Sequence, residues 1–325
     1  RAMSEVGVTV EHLTPAEIIA RFPCFSMESF SPPKLPGHAD FGRANTTPLA
    51  GGLFVPEAGY VSDPQLATHN LQVAAEKLGA AFSFNTRVVA INRKGNRVAG
   101  VTTVNGDTIE AAIVVNAAGP HSCKINSLAG IEDETAIPTK PLRHEVAQVS
   151  APTGFGHART GCVVGDGDCG IYLRPDVAGN ILIGSLDPDC DPREYVDADH
   201  YGAELTEQWT NQVWRAALRM PGLSIPNTAR GVVGLYDATP DWTPIYDTSS
   251  LPGYYLAIGT SGNQFKNAPV VGELMARLIT ACEGGHDHDG NPLSFHLSGL
   301  DRYIDLGFYS RNRALHLEGS DTVLA

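Results

Sequence analysis

At 325 residues, the chain is long enough for two domains or one large α/β unit with a substantial core. Its 42% hydrophobic and 18% charged content is that of a globular protein, not a disordered one. A formal net charge of −13 disfavours nucleic acid and anionic membrane as partners, and no apolar run reaches the roughly 18 residues of a membrane span. Arg1 to Val10 carries no apolar signal core, and the six scattered cysteines contain no Cys-x-x-Cys. Reduced thiols in a cytoplasmic protein are expected.

Val10 to Phe22 reads as a short helix, with Thr14 as cap and Pro15 at its first position. Ser31 to Thr47 is rich in Pro, Gly and Asn and reads as loop. A short strand at Gly51 to Pro56 precedes a second helix. Asp63 is its expected cap, Pro64 its first residue and Gly79 its stop, with Leu66, Leu71, Ala74, Ala75 and Leu78 on one stripe. A β-meander follows, with strands expected at Ala81–Phe84, Arg87–Asn92, Arg97–Val104 and Thr108–Val115 and a hairpin signal at Asn105-Gly106-Asp107. It ends in Ile113-Val114-Val115-Asn116-Ala117-Ala118-Gly119-Pro120, a buried strand opening into small residues that can admit a ligand.

Between Pro141 and Arg193 the pattern is strand-rich, with strands at Glu145–Val149, Cys162–Val164, Gly170–Arg174 and Asn180–Gly184. Ala203 to Met220 reads as one amphipathic helix, Ala229 to Tyr236 as a strand and Asp237 to Pro244 as a polar loop. An apolar strand at Tyr254–Ile258 then enters the turn Gly259-Thr260-Ser261-Gly262-Asn263-Gln264-Phe265-Lys266, and a helical period runs from Val270 to Ile279. Such a backbone can approach a ligand closely and aim N–H groups at it, and Lys266 adds a cation. Gly284 to Gly290, with His286 and His288, reads as a solvated loop in preference to a metal site, and the segment after Pro292 is weakly patterned. No long linker separates two halves, so interleaved domains are expected.

Four blocks in this order resemble the FAD-dependent amine and amino-acid oxidoreductases of the D-amino-acid oxidase superfamily, among them sarcosine oxidase, dimethylglycine dehydrogenase and glycine oxidase. They are Gly51 to Leu66, Asn85 to Gly119, Gly234-Leu235-Tyr236-Asp237-Ala238-Thr239-Pro240-Asp241, and Gly259 to Glu273. The resemblance implies an α/β (α+β) fold: an FAD/NAD(P)-binding type domain, N-terminally truncated, interleaved with a mixed or antiparallel-sheet substrate domain. By this reading residues 55–125 and 230–285 bind FAD, residues 1–54 and 137–229 bind substrate, and residues 286–325 form a tail.

Carried over position by position, the resemblance places the backbone of Val88 on the adenine side of FAD and Ala117, Ala118 and Gly119 under the dinucleotide. Ser261, Gly262, Asn263, Gln264 and Phe265 lie along its ribityl and isoalloxazine end. Lys266 matches a lysine that holds a substrate carboxylate, Tyr172 an aromatic lining the substrate side, and Tyr236 the strand that reaches the flavin. Gly234 stands where sarcosine oxidases have a flavin-linking cysteine, so non-covalent FAD is expected. The family's Ser-Gly-His-Gly turn is Ser261-Gly262-Asn263-Gln264 here, with amides in place of a titratable ring.

The family opens with a strand, Gly-x-Gly-x-x-Gly and helix, and no such unit in a strand-to-helix context occurs in this sequence. The chain starts where a relative would be about a hundred residues in. A second polypeptide supplying that piece is one possibility; a fragment, or a different mode of FAD binding, are the others. The expected substrate is a small amino acid or N-methylated amine, with the electron acceptor unspecified. Alternatives are a partial subunit of a heteromeric flavoenzyme and a flavoenzyme acting on a hydroxy acid. Outside these blocks, Arg143 and His144 are candidates for a pocket or for structural pairing. Arg174 is suited either to a bidentate carboxylate contact or to pairing with Asp176. Asp237 and Asp241 read as turn formers.

Overall fold

The computed structural model describes residues 2–132, 136–155 and 161–316. In chain order its elements are α1 (Ala2–Glu5), β1 (Glu11–Leu13), α2 (Pro15–Arg21), β2 (Gly52–Phe54) and α3 (Pro64–Lys77). The meander strands β3 (Val88–Lys94), β4 (Arg97–Thr103) and β5 (Thr108–Glu110) follow, then β6 (Val114–Asn116) and α4 (Ser122–Ala129). Next come β7 (Lys140–Ser150), β8 (Val164–Asp166), β9 (Ile171–Pro175), β10 (Asn180–Ser185), α5 (Glu207–Arg219) and β11 (Gly231–Ala238). The last are β12 (Ile245–Thr248), β13 (Tyr254–Ile258), α6 (Ala268–Glu283), β14 (Ser294–Leu297) and β15 (Arg302–Asp305). Among the described residues no helix is long and apolar enough to cross a membrane.

The chain forms two compact units and crosses between them at 82/83, 143/144, 193/194, 201/202 and 234/235. The interleaving expected from the absence of a linker is therefore present. One unit holds residues 1–82, 144–193 and 202–234 around a five-stranded sheet of order β11-β7-β10-β9-β8. The alternation along β9 and β10 buries Ile171, Leu173, Ile181 and Ile183 on one face. Trp209, Val213, Ala216 and Met220 of α5 and its C-cap close over them. Glu145 of β7, buried at the start of α5, accepts bonds from the amides of Thr206 (2.9 Å) and Trp209 (3.0 Å). A carboxylate at a helix N-terminus satisfies orphan donors and the helix dipole together. That is why α5 begins at Glu207 and not at Ala203.

The other unit holds residues 83–143, 194–201 and 235–325. Its centre is a three-stranded sheet of order β12-β13-β6, in which β13 runs antiparallel to β12 and parallel to β6, with Leu256 opposite Asn116. Among the described residues β6 is an edge strand. The meander β3-β4-β5 packs Ile91 and Val98 into one core with Ile245, Leu256 and Ile258. A second core joins Leu274, Met275 and Leu278 of α6 to Tyr246, Phe295 and Leu306.

Several expected boundaries move. Residues 10–13 pair as strand β1 with β2, and the Thr14 capping box starts α2 only at Pro15. Ala81–Phe84 is not a strand: Phe82 and Phe84 are exposed and Asn85 turns the chain with φ 52°. Thr108–Val115 divides, because β6 leaves the meander to pair with β13. The cap and stop of α3 are as read, yet its stripe is open, with Leu66 53%, Leu71 54% and Leu78 90% exposed. The segment after Pro292 forms the hairpin β14–β15 and buries Phe295 and Leu306. His288 is buried, not solvated, and its Nδ1 accepts from the Leu293 amide. The string Gly165-Asp166-Gly167-Asp168-Cys169-Gly170 has Gly-x-Gly-x-x-Gly spacing but links the antiparallel pair β8 and β9, so it has no strand-to-helix context.

Candidate functional site

The parallel strands β6 and β13 end side by side, and each runs into a turn with left-handed backbone. Ligands of open α/β sheets bind beyond such carboxyl ends. After β6, Gly119 has φ 55°, and a Cβ built on it meets no heavy atom within 4 Å. The buried Asn116 side chain fixes this turn. Its Oδ1 accepts from the Ala118 amide at 3.1 Å, and its Nδ2 donates to Ser122 O at 3.0 Å and Asn126 Oδ1 at 2.8 Å. The Tyr254 hydroxyl donates to the same Asn126 Oδ1 at 3.1 Å, which ties β13 into the network.

After β13, Gly259 (φ 69°), Ser261 (φ 48°) and Gly262 (φ 74°) all take left-handed conformations. Only glycine adopts that region without cost, so Ser261 is strained and must be held. The Ser261 amide donates to Asp237 O at 2.9 Å, its hydroxyl to Gly259 O at 3.1 Å, and the Thr239 amide to Ser261 Oγ at 3.2 Å. Asp237 is not a solvated turn former. Its carboxylate is 2% exposed and accepts from the Gly259 amide at 2.6 Å. Burial pushes its pKa up to about 6, against the lowering effect of that amide and of the Ser122 and Thr139 hydroxyls. Asp241 is buried as well, forked by Arg313 at 2.9 and 3.1 Å.

The Lys266 ammonium donates to Asn263 O at 2.9 Å, which leaves two donors for other partners. The Gln264 amide oxygen accepts from the Tyr246 hydroxyl at 3.2 Å and from Asn267 Nδ2 at 2.8 Å, and Gln264 Nε2 donates to Asn263 Oδ1. The Tyr236 ring covers Gly262, where a built Cβ would come within 2.5 Å of Tyr236 Cζ. Among the described residues the backbone amides of Ala117, Gly119, Gly262 and Gln264 have no intramolecular acceptor. The two turns thus present a set of open donors, with a lysine beside them.

Of the residues singled out in the sequence, Ala117, Ala118, Gly119, Tyr236 and Ser261 to Lys266 meet in this unit, and Val88 opens β3 there, opposite Thr103. Tyr172 and Gly234 belong to the other unit. Tyr172 lies on β9 with its ring over Gly184, and Gly234 is an exposed residue of β11. Sequence reading missed Asn116, Asp237, Thr239 and Arg313. For Asp237 a signal existed: it lies directly between Tyr236 and the apolar Ala238 on a strand, where an aspartate needs a buried donor.

A family model described as FAD dependent oxidoreductase matches residues 1–278. The chain belongs to this FAD dependent oxidoreductase family. One relative is the hydrogen cyanide synthase subunit HcnC of Pseudomonas aeruginosa, 28% identical over 220 residues, covering 67% of this chain and 48% of that protein. Another is the 4-methylaminobutanoate oxidase (formaldehyde-forming) of Paenarthrobacter nicotinovorans, 27% identical over 244 residues, covering 74% of this chain and 28% of that one. Among solved structures, the L-proline dehydrogenase of P. horikoshii is similar with a TM-score of 0.67 and 27% identity, over 86% of this chain and 66% of that one. The chain spans less than half the length of the curated family members it matches. The mixed α/β architecture expected from the sequence is shared with this solved neighbour.

Proposed function

We propose that this chain forms the flavin end of an FAD-dependent oxidoreductase acting on the C–N bond of a small amino acid or N-methylated amine. The observation that carries the reading is the pair of left-handed turns at the ends of β6 and β13, with their open amides. FAD fits them on two counts. Gly119 leaves empty space where a side chain would stand, and the open donors match the polar edge of a flavin and its ribityl chain. Val88, Ala117, Ala118 and Gly119 would hold the dinucleotide, and Ser261 to Phe265 the flavin. Gly234 offers no nucleophile for a covalent link, so the cofactor is held non-covalently.

Bound FAD supplies a two-electron acceptor for the C–H bond beside a substrate nitrogen. The work left to the protein is binding and orientation. Lys266, with two donors remaining, would hold a substrate carboxylate, while Tyr236, whose ring covers Gly262, would line the substrate. The partition into FAD-binding residues 55–125 and 230–285 and substrate-binding residues 1–54 and 137–229 belongs to the same reading.

A second reading has its own support: the chain as one part of a heteromeric flavoenzyme. HcnC relatives are named as subunits, β6 is an unpaired edge among the described residues, and no strand–Gly-x-Gly-x-x-Gly–helix unit lies in the sequence. A further polypeptide segment adding parallel strands to β6 would complete both sheet and cofactor site. Anaerobic mixing with a panel of amino acids, N-methylated amines and hydroxy acids tests the activity. Bleaching of the flavin by an amine or amino acid is expected. Bleaching by hydroxy acids alone would overturn the C–N assignment.

A further inference from the structure

The turn after β13 carries two side-chain amides, Asn263 and Gln264, among the backbone amides that a cofactor would need. Side chains of this kind readily turn back on neighbouring N–H groups and cap them. A turn that keeps its donors open must hold those oxygens elsewhere, and this one does. Gln264 Oε1 accepts from the Tyr246 hydroxyl at 3.2 Å and from Asn267 Nδ2 at 2.8 Å. Gln264 Nε2 in turn donates to Asn263 Oδ1, and Asn263 Nδ2 donates to the Trp242 carbonyl at 3.4 Å. Both amide oxygens accept and both amide nitrogens donate, so the order of donors fixes how each amide lies. Gly262 N and Gln264 N, meanwhile, have no acceptor among the described residues.

Tyr246 is the fixed end of this series. It lies on β12, opposite Ala257 of β13, and is 3% exposed. The Tyr309 ring packs on it, with centroids 5.2 Å apart. Tyr309 is pinned by the residues that follow it. The Ser310 hydroxyl donates to Asp247 Oδ2 at 3.2 Å, and the Arg311 amide donates to the same oxygen at 2.7 Å. Burial raises the pKa of the Tyr246 phenol, so its hydroxyl stays a donor across the ordinary pH range. A buried ring ending in one hydroxyl reaches Gln264 with little freedom left to lose.

We propose that Tyr246 is a positioning residue of the flavin turn. By holding Gln264 Oε1, and through it Asn263 Oδ1, it keeps both oxygens off the backbone of the turn and leaves the Gly262 and Gln264 amides to the cofactor. The role rests on the flavin reading and adds to it a residue that acts only through Gln264.

The test titrates FAD into the full chain and its Y246F, Q264L and double variants, following flavin fluorescence. Each is measured alone and with a polypeptide bearing a strand–Gly-x-Gly-x-x-Gly–helix unit, and thermal melts confirm folding. Y246F is expected to weaken FAD binding about threefold or more, and Q264L about tenfold or more. The double variant is expected to match Q264L within about twofold, because Tyr246 then has nothing to hold. Losses that multiply in the double variant would overturn the proposal, and Y246F alone decides it if Q264L does not fold. Amide hydrogen exchange without FAD reads the same arrangement. Gly262 and Gln264 are expected to exchange freely in the parent chain and to gain protection in the variants, as the released oxygens turn back on them. Protected amides in the parent, or no protection gained in either variant, would contradict the proposal. A parent chain that takes up no FAD in either condition overturns the flavin reading, and the cofactor role with it. FAD held equally by the parent and Y246F overturns that role alone.

Discussion

The Asp237 carboxylate accepts the Gly259 amide at 2.6 Å, and the Asp237 carbonyl accepts the Ser261 amide at 2.9 Å. One residue at the end of β11 therefore holds both ends of the first left-handed stretch after β13. Because the carboxyl is buried, its pKa rises from 3.8 to about 6, so the folded protein prefers it protonated. Its stabilising contribution is then full below about pH 4 and is lost as pH rises through 6, roughly 3 kcal/mol at most. Thermal melts between pH 4 and 7 should show a downward stability slope from this group, and D237N, which keeps an oxygen for the Gly259 amide, should flatten it. An unchanged slope in D237N would show that Asp237 does not titrate in this range.

Asn116 organises the first turn as Asp237 organises the second. N116A removes an acceptor from the Ala118 amide and a donor from Ser122 O and Asn126 Oδ1, all close to β6. Leaving buried partners unmade costs about 1–3 kcal/mol. Denaturant titration should show that loss, and bound flavin should dissociate more readily than from the parent chain. Full stability and full flavin retention together would remove Asn116 from the account.

Arg313 reaches back 72 positions to Asp241, with side chains 3% and 0% exposed. Breaking a buried pair from one side strands a charge, at a cost of about 3–5 kcal/mol. R313A should lower stability by that order, whereas R313K, which keeps a cation opposite Asp241, should lower it less. Chemical denaturation of the two variants distinguishes them.

These ion pairs mark where sequence reading stops. Caps and turns are local, so Thr14, Asp63 and the glycines after β6 and β13 announced themselves, and the site turns were legible because each needs small residues in sequence. Asp241 with Arg313, and Asp247 with Arg311 at 3.1 Å, are contacts across long loops, and no spacing rule predicts them. Hydrophobic period was equally silent on partnership. It marked the α3 stripe and Phe82–Phe84 as apolar, but apolar residues become core only where another surface covers them. Here Leu78 is 90% exposed and Phe84 65%.

Lys266 tests the substrate end. Its bond to Asn263 O at 2.9 Å leaves two donors, so K266M should keep the fold and raise the KM of a carboxylated amine about tenfold or more, with slower flavin reduction. Stopped-flow reduction kinetics check this. Unchanged kinetics would take Lys266 out of the site.

The central claim is that this chain carries the flavin end of an FAD site without a covalent bond. Its most direct measurement is visible absorbance of the gel-filtered full chain after incubation with FAD, alone and with a polypeptide bearing a strand–Gly-x-Gly-x-x-Gly–helix unit, followed by acid precipitation. The account predicts flavin bands that travel with the chain in at least one of the two samples and pass wholly into the supernatant on precipitation. A chain that is colourless in both, or flavin that stays with the precipitate, would contradict it.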